Sequence, residues 1–402
     1  MLFVGINYPP EHTGIAPYTG AMCDALAQEG FDISVVTALP HYPDWRVWEG
    51  AEVGTSVDSA SGVTQTRVTH FVPNPPKGVK RLLSEVSFGF ASITAGWGRP
   101  DVIVLVSPAM VSSALGMAKA RLMHRNAPVV VWVQDLYGKG LAETGRGGLV
   151  QKIISGIEGW LLRHATAVVV IHERFGQIIA SEYGVSPESI QVIPNWSHVA
   201  ELASGDSPKP VAGHRTVLHT GNMGVKQGLH LVVEAANLRK PHQSHIRFVL
   251  MGQGGERPTI ERMAQNVAGV LVMDAVPSED YLATLMAADI LLVHELPGVS
   301  EMAVPSKLTS YFASGRPVIA ATDPNGITAQ VVRAAGAGLV VESGNAEALL
   351  EAIETLLGDA VLAHQLGENG RRYARENLTQ SAAVANFSNL LEQLPSQNPA
   401  NR

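Results

Sequence analysis

Two lysines stand where a strand gives way to a helix, and both positions suit an anion. Lys307 follows Pro305 and Ser306 at what reads as a helix start, since Pro fits the first turn and Ser can cap it. Gly315 reads as the stop of that helix and Pro317–Ala320 as the next short buried strand. Free N–H groups, the helix dipole and an ammonium converge there, an arrangement that suits a diphosphate. Lys226 lies in His219-Thr-Gly-Asn-Met-Gly-Val-Lys-Gln-Gly228, where Gly221, Gly224 and Gly228 leave backbone amides unobstructed. Taken singly, each stretch reads equally well as an ordinary turn with a solvated lysine.

Other loops occupy the same place, between a strand and a helix. Tyr8-Pro-Pro-Glu-His-Thr-Gly-Ile-Ala16 follows the first strand, and its Gly14 permits close approach of a phosphate or sugar. Met251-Gly-Gln-Gly-Gly-Glu256 is a third glycine loop, suited to wall a nucleoside beside the others. Trp132-Val-Gln-Asp-Leu-Tyr-Gly138 ends a strand with an amide, a carboxylate and a phenol, and Asp135 reads either as part of a site or as a structural cap. His41-Tyr-Pro-Asp-Trp-Arg46 is a polar and aromatic loop of the kind that binds sugars, or a packed loop with an exposed His. Val79, Leu82, Leu83, Val86, Phe90, Ile93 and Trp97 form a helical stripe after Lys77, Lys80 and Arg81. Such a stripe reads first as core and second as an interfacial membrane helix.

Several chemistries lack their residues. The sequence has no Cys/His metal constellation, no His-Glu-x-x-His, no Walker loop and no Asp-x-Asp, so no metal site is expected. Gly-x-Gly-x-x-Gly is missing from the first strand–helix turn, which leaves classical dinucleotide binding unsupported, and a Gly-x-Ser-x-Gly elbow is absent. A net charge of -7 with 29 basic residues argues against a general nucleic-acid binder. One cysteine, Cys23, allows no internal disulfide and fits a reducing cytoplasm. Met1–Ile6 is too short for a signal h-region, and no run of about 18 apolar residues suggests a membrane span.

The elements that must position these loops follow from short apolar runs. Leu2–Ile6, Ile33–Thr37, Val102–Val106, Val129–Val133, Ala167–Ile171 and Gln191–Ile193 read as strands without alternation, hence buried on both faces of a parallel sheet. Helices are expected over Ile15–Gln28, Val79–Trp97, Ala109–Arg125, Gly148–Arg163 and Phe175–Tyr183. His198–Gly213 collects Ser, Gly, Pro and Asp without periodicity and reads as a linker. The alternation then restarts with strands at Thr216–Thr220, Ile246–Met251, Val270–Met273, Ile290–Val293, Pro317–Ala320 and Gly338–Val341. The expectation for 402 residues is therefore an α/β chain of two Rossmann-like doubly wound domains, 1–198 and 214–375. A last helix at 379–395 carries Val384, Phe387, Leu391 and Leu394 on one stripe and must dock on something.

Five segments in this order carry a resemblance: Tyr8-Pro-Pro with Thr13-Gly-Ile15; Gln134-Asp-Leu136; Ile193-Pro-Asn-Trp196; Gly221-Asn-Met-Gly224 with Gln227-Gly228; and Pro305-Ser-Lys307 with Ala313-Ser-Gly-Arg-Pro317. Together they resemble glycosyltransferase family 4, and within it the colanic-acid and exopolysaccharide transferases. The resemblance implies a GT-B fold, with two Rossmann-like domains facing across a cleft and the last helix returning to the first domain. It implies retaining, metal-independent transfer from a nucleoside-diphosphate sugar, uridine or guanosine, to a glycan or lipid-diphosphate-linked acceptor, with peripheral contact at the cytoplasmic membrane face. No cofactor is implied.

The site residues come by the same route. Lys226 and Lys307 would carry the diphosphate charge, Glu301 would contact the donor sugar, and Asp135 would orient the acceptor. Donor contacts are expected at Gly14, Gly221, Asn222, Gly224, Gln227, Gly252, Gly254, Val276, Pro305, Ser306, Lys307, Leu308 and Ser310. Acceptor contacts are expected at His12, His41, Tyr42, Gln134 and Tyr137. The chain departs from the family pattern in two places. The second Glu of the family's Glu-x7-Glu pair falls on Ser310, and a His common at the fourth-strand end is replaced by Gln134. Two rivals share the architecture: a sugar-nucleotide 2-epimerase and a non-catalytic nucleotide-sugar binder.

Overall fold

A computed structural model of the chain describes residues 1–12, 14–74, 79–107, 109–136, 149–197, 214–298 and 306–394. The chain divides into two compact units, Met1–Asn195 with Gln380–Arg402, and Trp196–Thr379.

Unit 1 is built on an eight-stranded sheet in the order β3-β4-β2-β1-β5-β6-β7-β8. Its strands are β1 (Leu2–Val4), β2 (Ser34–Ala38), β3 (Gly54–Val57), β4 (Thr64–Val68), β5 (Ile103–Val106), β6 (Val129–Val133), β7 (Ala167–Val170) and β8 (Ile190–Val192). All neighbours pair in parallel except β3, which runs antiparallel to β4 at one edge. The central strands are fully buried, as their unbroken apolar runs require. The sequence reading omits β3 and β4. Every residue of β3 is exposed and β4 reads Thr-Gln-Thr-Arg-Val, so neither offers an apolar run.

The helices of unit 1 are α1 (Ala16–Gln28), α2 (Val79–Thr94), α3 (Met110–Met123), α4 (Leu149–Arg163) and α5 (Glu173–Tyr183). The core reading of the Val79–Trp97 stripe holds only in part: Trp97 is buried and Val86 and Ile93 are half-buried, but the other four residues face outward. Val79, Leu82, Leu83 and Phe90 are 71%, 40%, 51% and 56% exposed. The helix buries Ser84, Glu85, Phe88, Gly89 and Ser92 instead. Gly89 explains the inversion, because a Cβ there would sit 3.0 Å from Ser112 Cα and 2.6 Å from Leu115 Cδ1 of α3. Close approach of the two helices selects small residues, and Val79, Leu82, Leu83 and Phe90 are turned outward.

Unit 2 has a six-stranded, all-parallel sheet, β11-β10-β9-β12-β13-β14. The strands are β9 (Arg215–Thr220), β10 (Ile246–Met251), β11 (Val270–Met273), β12 (Ile290–His294), β13 (Val318–Thr322) and β14 (Gly338–Glu342). Its helices are α6 (Leu229–Asn237), α7 (Arg257–Ala264), α8 (Ser278–Ala287), α9 (Lys307–Ser314), α10 (Ile327–Ala335), α11 (Ala346–Gly358) and α12 (Ala360–Asn377). A core of Val217, Phe248, Leu250, Ile290, Leu292 and Ile319 packs under Val232, Val233 and Ile353 of the covering helices. The terminal helix α13 (Gln380–Gln393) returns to unit 1, where Phe387 stacks 6.2 Å from Phe3 and 5.5 Å from Trp132. The Val384–Leu391 stripe thus finds its dock on β1 and β6.

Candidate functional site

Strand order reverses at β9 in unit 2, with β10 on one side and β12 on the other. Ligands of open α/β sheets bind outside the carboxyl ends of the strands at this kind of switch point. Pairing of β9 with β12 ends at Val217↔Ile290 and Leu218↔Leu291. Beyond it the His219 ring fills the space between the strands, with its Nδ1 3.0 Å from the Leu292 carbonyl. Nδ1–H donates there, so Nε2 is left as an acceptor. Lys307 Nζ, at the first turn of α9, lies 3.2 Å from that Nε2.

Three loops interlock around this pair. Gly221 N–H donates to Met251 O at 2.9 Å, Met223 N–H to Gln253 O at 2.7 Å, and Glu256 N–H to Met223 O at 2.9 Å. The contact is possible only without side chains. Gly252 has φ +144 and a Cβ there would lie 1.9 Å from Gly221 O, while Gly254 has φ +154 and would meet Met223 O at 2.4 Å. A Cβ on Gly221 would be 3.6 Å from Lys307 Nζ, so the ammonium lies against bare backbone. Gly224 N–H donates to Gln227 Oε1 at 3.0 Å, which closes the turn that carries Lys226. From the β12 end, Leu296 N–H donates to Lys226 O at 2.6 Å.

The electrostatics follow from burial. Desolvation lowers the Lys307 amine to about 7, against the pull of the Glu295 carboxylate, which favours its charged form. His219 is wholly buried; desolvation and then the Lys307 charge hold it well below its ordinary value, so it stays neutral. Glu295 accepts from Thr322 Oγ1 and, at 2.7 Å, from Thr328 Oγ1, which anchors the start of the β12 loop. His294 is pushed down to about 4 by burial and bonds Gln227 O at 2.7 Å. A half-neutral amine over exposed backbone is suited to an anion that restores its proton.

Of the sequence-predicted donor residues, Gly221, Asn222, Gly224, Gln227, Gly252, Gly254 and Lys307 meet in this one place. Leu308 is 1% exposed and packs in the core, so the expected donor contact at this position is not available. Val276 lies on the connection from β11 to α8, Ser306 is exposed, and Ser310 is half-buried on α9. Glu301, Pro305 and Tyr137 lie outside the described residues, as does the expected linker. His219, Glu295 and the hydroxyl pair Tyr281 and Tyr311, which bracket Thr220 Oγ1 at 2.9 and 3.2 Å, are given no role in the sequence reading. Only their pairing through space marks them.

In unit 1 the switch point lies at β1, between β2 and β5. Gly14 is in the loop after β1, where a Cβ would touch Tyr42 Cε1 at 3.5 Å. Glu11, passed over in the sequence, organises the neighbouring loops. Its buried Oε1 accepts from His41 N–H at 2.7 Å and Tyr42 N–H at 2.9 Å, and Oε2 accepts from Asn7 at 2.8 Å. Burial alone would raise this carboxyl, but the hydrogen bonds from His41 and Tyr42 hold it below the ordinary value. His41 is buried rather than exposed, its ring 4.6 Å edge-on to His70 and 5.9 Å from Trp45. Desolvation lowers His70 to about 3. His12 is exposed beside Trp48, 6.0 Å between rings. Gln134 and Asn195 bond each other through their amides, at 2.7 Å in one direction, and Asp135 lies next to them at the end of β6. Among the described residues no three His, Cys, Asp or Glu side chains converge as a metal site.

Residues 13–196 match a glycosyl transferase 4-like domain, and residues 214–359 match glycosyl transferases group 1. The chain is 31% identical over 412 residues to the colanic acid biosynthesis glycosyl transferase WcaI of Escherichia coli K12, covering 97% of this chain and 98% of that one. Sucrose-phosphate synthase from Thermosynechococcus elongatus shares the fold with a TM-score of 0.74 at 18% identity, over 98% of both chains. HepE of Anabaena, solved with UDP, does so with a TM-score of 0.68 at 13% identity, over 98% of this chain and 99% of that one. The chain is a glycosyltransferase of family 4, with the GT-B fold.

Proposed function

We propose that the enzyme transfers a sugar from a nucleoside-diphosphate sugar to a hydroxyl of a glycan or lipid-diphosphate-linked acceptor during exopolysaccharide synthesis. The observation that carries the donor reading is Lys307, whose ammonium lies against the bare backbone of Gly221 at the β9 switch point. UDP in the HepE structure favours a uridine nucleotide, and the name of the WcaI relative supports the polysaccharide setting.

In this reading Lys226, Lys307 and the loop amides stabilise charge as it develops on the leaving diphosphate. The bond from the anomeric carbon to the phosphate oxygen breaks, and a bond to the acceptor oxygen forms on the same face of the sugar. The acceptor proton passes to the departing phosphate, so the anomeric configuration is retained and no divalent metal takes part. Asp135 orients the acceptor, whereas the buried His41 ring is withdrawn from that role. The outward face of α2, with Val79, Leu82, Leu83 and Phe90 beside Lys80 and Arg81, rests on an anionic bilayer that holds a lipid-linked acceptor. Among the described residues no helix is long and apolar enough to cross a membrane.

The test is incubation of the purified enzyme with UDP- and GDP-sugars, with and without EDTA, and with lipid-linked saccharides as acceptors. Release of nucleoside diphosphate coupled to an α-linked product from an α-linked donor is expected in both conditions. An epimerised nucleotide sugar formed without acceptor would contradict transfer; loss in EDTA with recovery in manganese would contradict metal independence.

A further inference from the structure

Lys119 and Lys307 are both half-buried, and different groups hold them. Lys119 Nζ donates to Ile93 O at 2.7 Å and Ala95 O at 2.8 Å and lies 4.3 Å from the centre of the Trp97 ring, contacts that keep an ammonium. Lys307 Nζ has a ring nitrogen instead: among the described residues its hydrogen bond goes to His219 Nε2 at 3.2 Å. The Glu295 carboxylate, which acts on Lys307 by charge, is bound to the hydroxyls of Thr322 and Thr328. One neutral acceptor offsets little of what burial costs the charge, so near pH 7 about half of these amines are neutral.

With one N–H pinned to Nε2, the lone pair of the neutral amine is left to face Gly221, where a Cβ would lie 3.6 Å from Nζ and none is present. Gly221 is exposed and Lys307 only half-buried, so the pair borders solvent. A desolvated amine beside a base and open to a small solute is how nucleophilic lysines are made. Carbon dioxide suits this one: it is small and uncharged, and its addition needs no leaving group and no cofactor. The nitrogen bonds to its carbon, one C=O π pair moves onto oxygen, and the amine proton leaves to solvent. A cation is thereby replaced by a carbamate anion, which repels a diphosphate from the same place.

We propose that Lys307 is a reversible carbamate-forming site at which carbon dioxide excludes the nucleoside diphosphate, the exclusion resting on the donor reading above. The test is incubation of the whole protein with carbon dioxide and bicarbonate at pH 8, trapping of carbamates with a triethyloxonium salt, and peptide mass spectrometry. The trapped adduct is expected on Lys307, to be absent from Lys119 and the exposed Lys240, and to disappear when UDP is added first. UDP affinity, measured at constant pH and ionic strength, should fall roughly tenfold at ten times the half-modifying concentration of carbon dioxide, the mass-action result for exclusive binding. Lys307→Arg, which keeps a cation but offers no nucleophilic amine, should show no response of UDP affinity to carbon dioxide. No adduct on Lys307, equal labelling of Lys240, or a carbon dioxide effect that persists in Lys307→Arg would overturn the site. An adduct that UDP leaves in place, in protein that binds UDP, would overturn the exclusion. Failure of the donor reading is separate, since UDP would then not bind even without carbon dioxide while the Lys307 adduct still formed.

Discussion

The Lys307 ammonium donates to His219 Nε2 across 3.2 Å, from an imidazole whose other nitrogen is bound to the Leu292 carbonyl. The pair joins the first turn of α9 to the end of β9, and it leaves a cation of lowered pKa against Gly221. The donor reading turns on what this amine does when a diphosphate arrives.

Binding of a nucleotide sugar should be linked to protonation of Lys307. The free amine titrates near 7, and an adjacent diphosphate raises it. Affinity is then full below about pH 7 and falls as pH rises through it, by up to about tenfold per unit, because binding must take up a proton. Calorimetry with UDP-glucose in buffers of different ionisation enthalpy should show proton uptake at pH 8 that is absent in Lys307→Arg. A flat profile in the wild type would remove the linkage.

Gly252→Ala should destabilise unit 2 by about 2–4 kcal/mol, because the new Cβ would meet Gly221 O at 1.9 Å on a backbone with φ +144. Nucleotide affinity should fall with it. Gly255→Ala, where a Cβ meets nothing within 4 Å, is the control and should change neither. Equal melting temperatures for the two variants would show that the loops do not interlock as described.

Glu11→Ala leaves the His41 and Tyr42 N–H groups without their acceptor and should cost about 2–4 kcal/mol. The Glu11 carboxyl is held below its ordinary value of 4.5, so its contribution is present above that pH and is lost as pH falls through the lowered value. The gap in denaturation midpoint between wild type and variant should therefore narrow on acidification. A gap that is constant from pH 7 to pH 3 would show that the carboxylate charge is not what holds the loop.

Flotation with vesicles tests the outward face of α2. Recovery should be weak, greater with anionic than neutral lipid, reduced by salt, and lost in Leu83→Glu, whose side chain replaces a residue 51% exposed. Equal recovery of wild type and Leu83→Glu would take the membrane role away from this face.

The parallel core is legible in the sequence because β5, β6 and β7 are buried on both sides and read as unbroken Val and Ile runs. Glycine turns are legible for a related reason, since only Gly tolerates the backbone of Gly252 against Gly221. What escapes is anything decided through space. β3 and β4 are polar strands at a solvent-facing edge, and periodicity has nothing to find there. α2 misleads because Gly89 and Ser92, not its leucines, make the close contact. Glu11 and His219 are ordinary residues in sequence; their roles arise from backbone donors and carbonyls that distant segments bring to them.

The central claim is that the β9 and α9 loops of unit 2 hold the donor diphosphate, and calorimetric titration of UDP and GDP into wild type, Lys226→Ala and Lys307→Ala tests it most directly. The account predicts that one of the two nucleotides binds the wild type and that each variant weakens it by about 1–3 kcal/mol, the loss of a charge-assisted hydrogen bond. Unchanged affinity in both variants, with the fold intact, would contradict it.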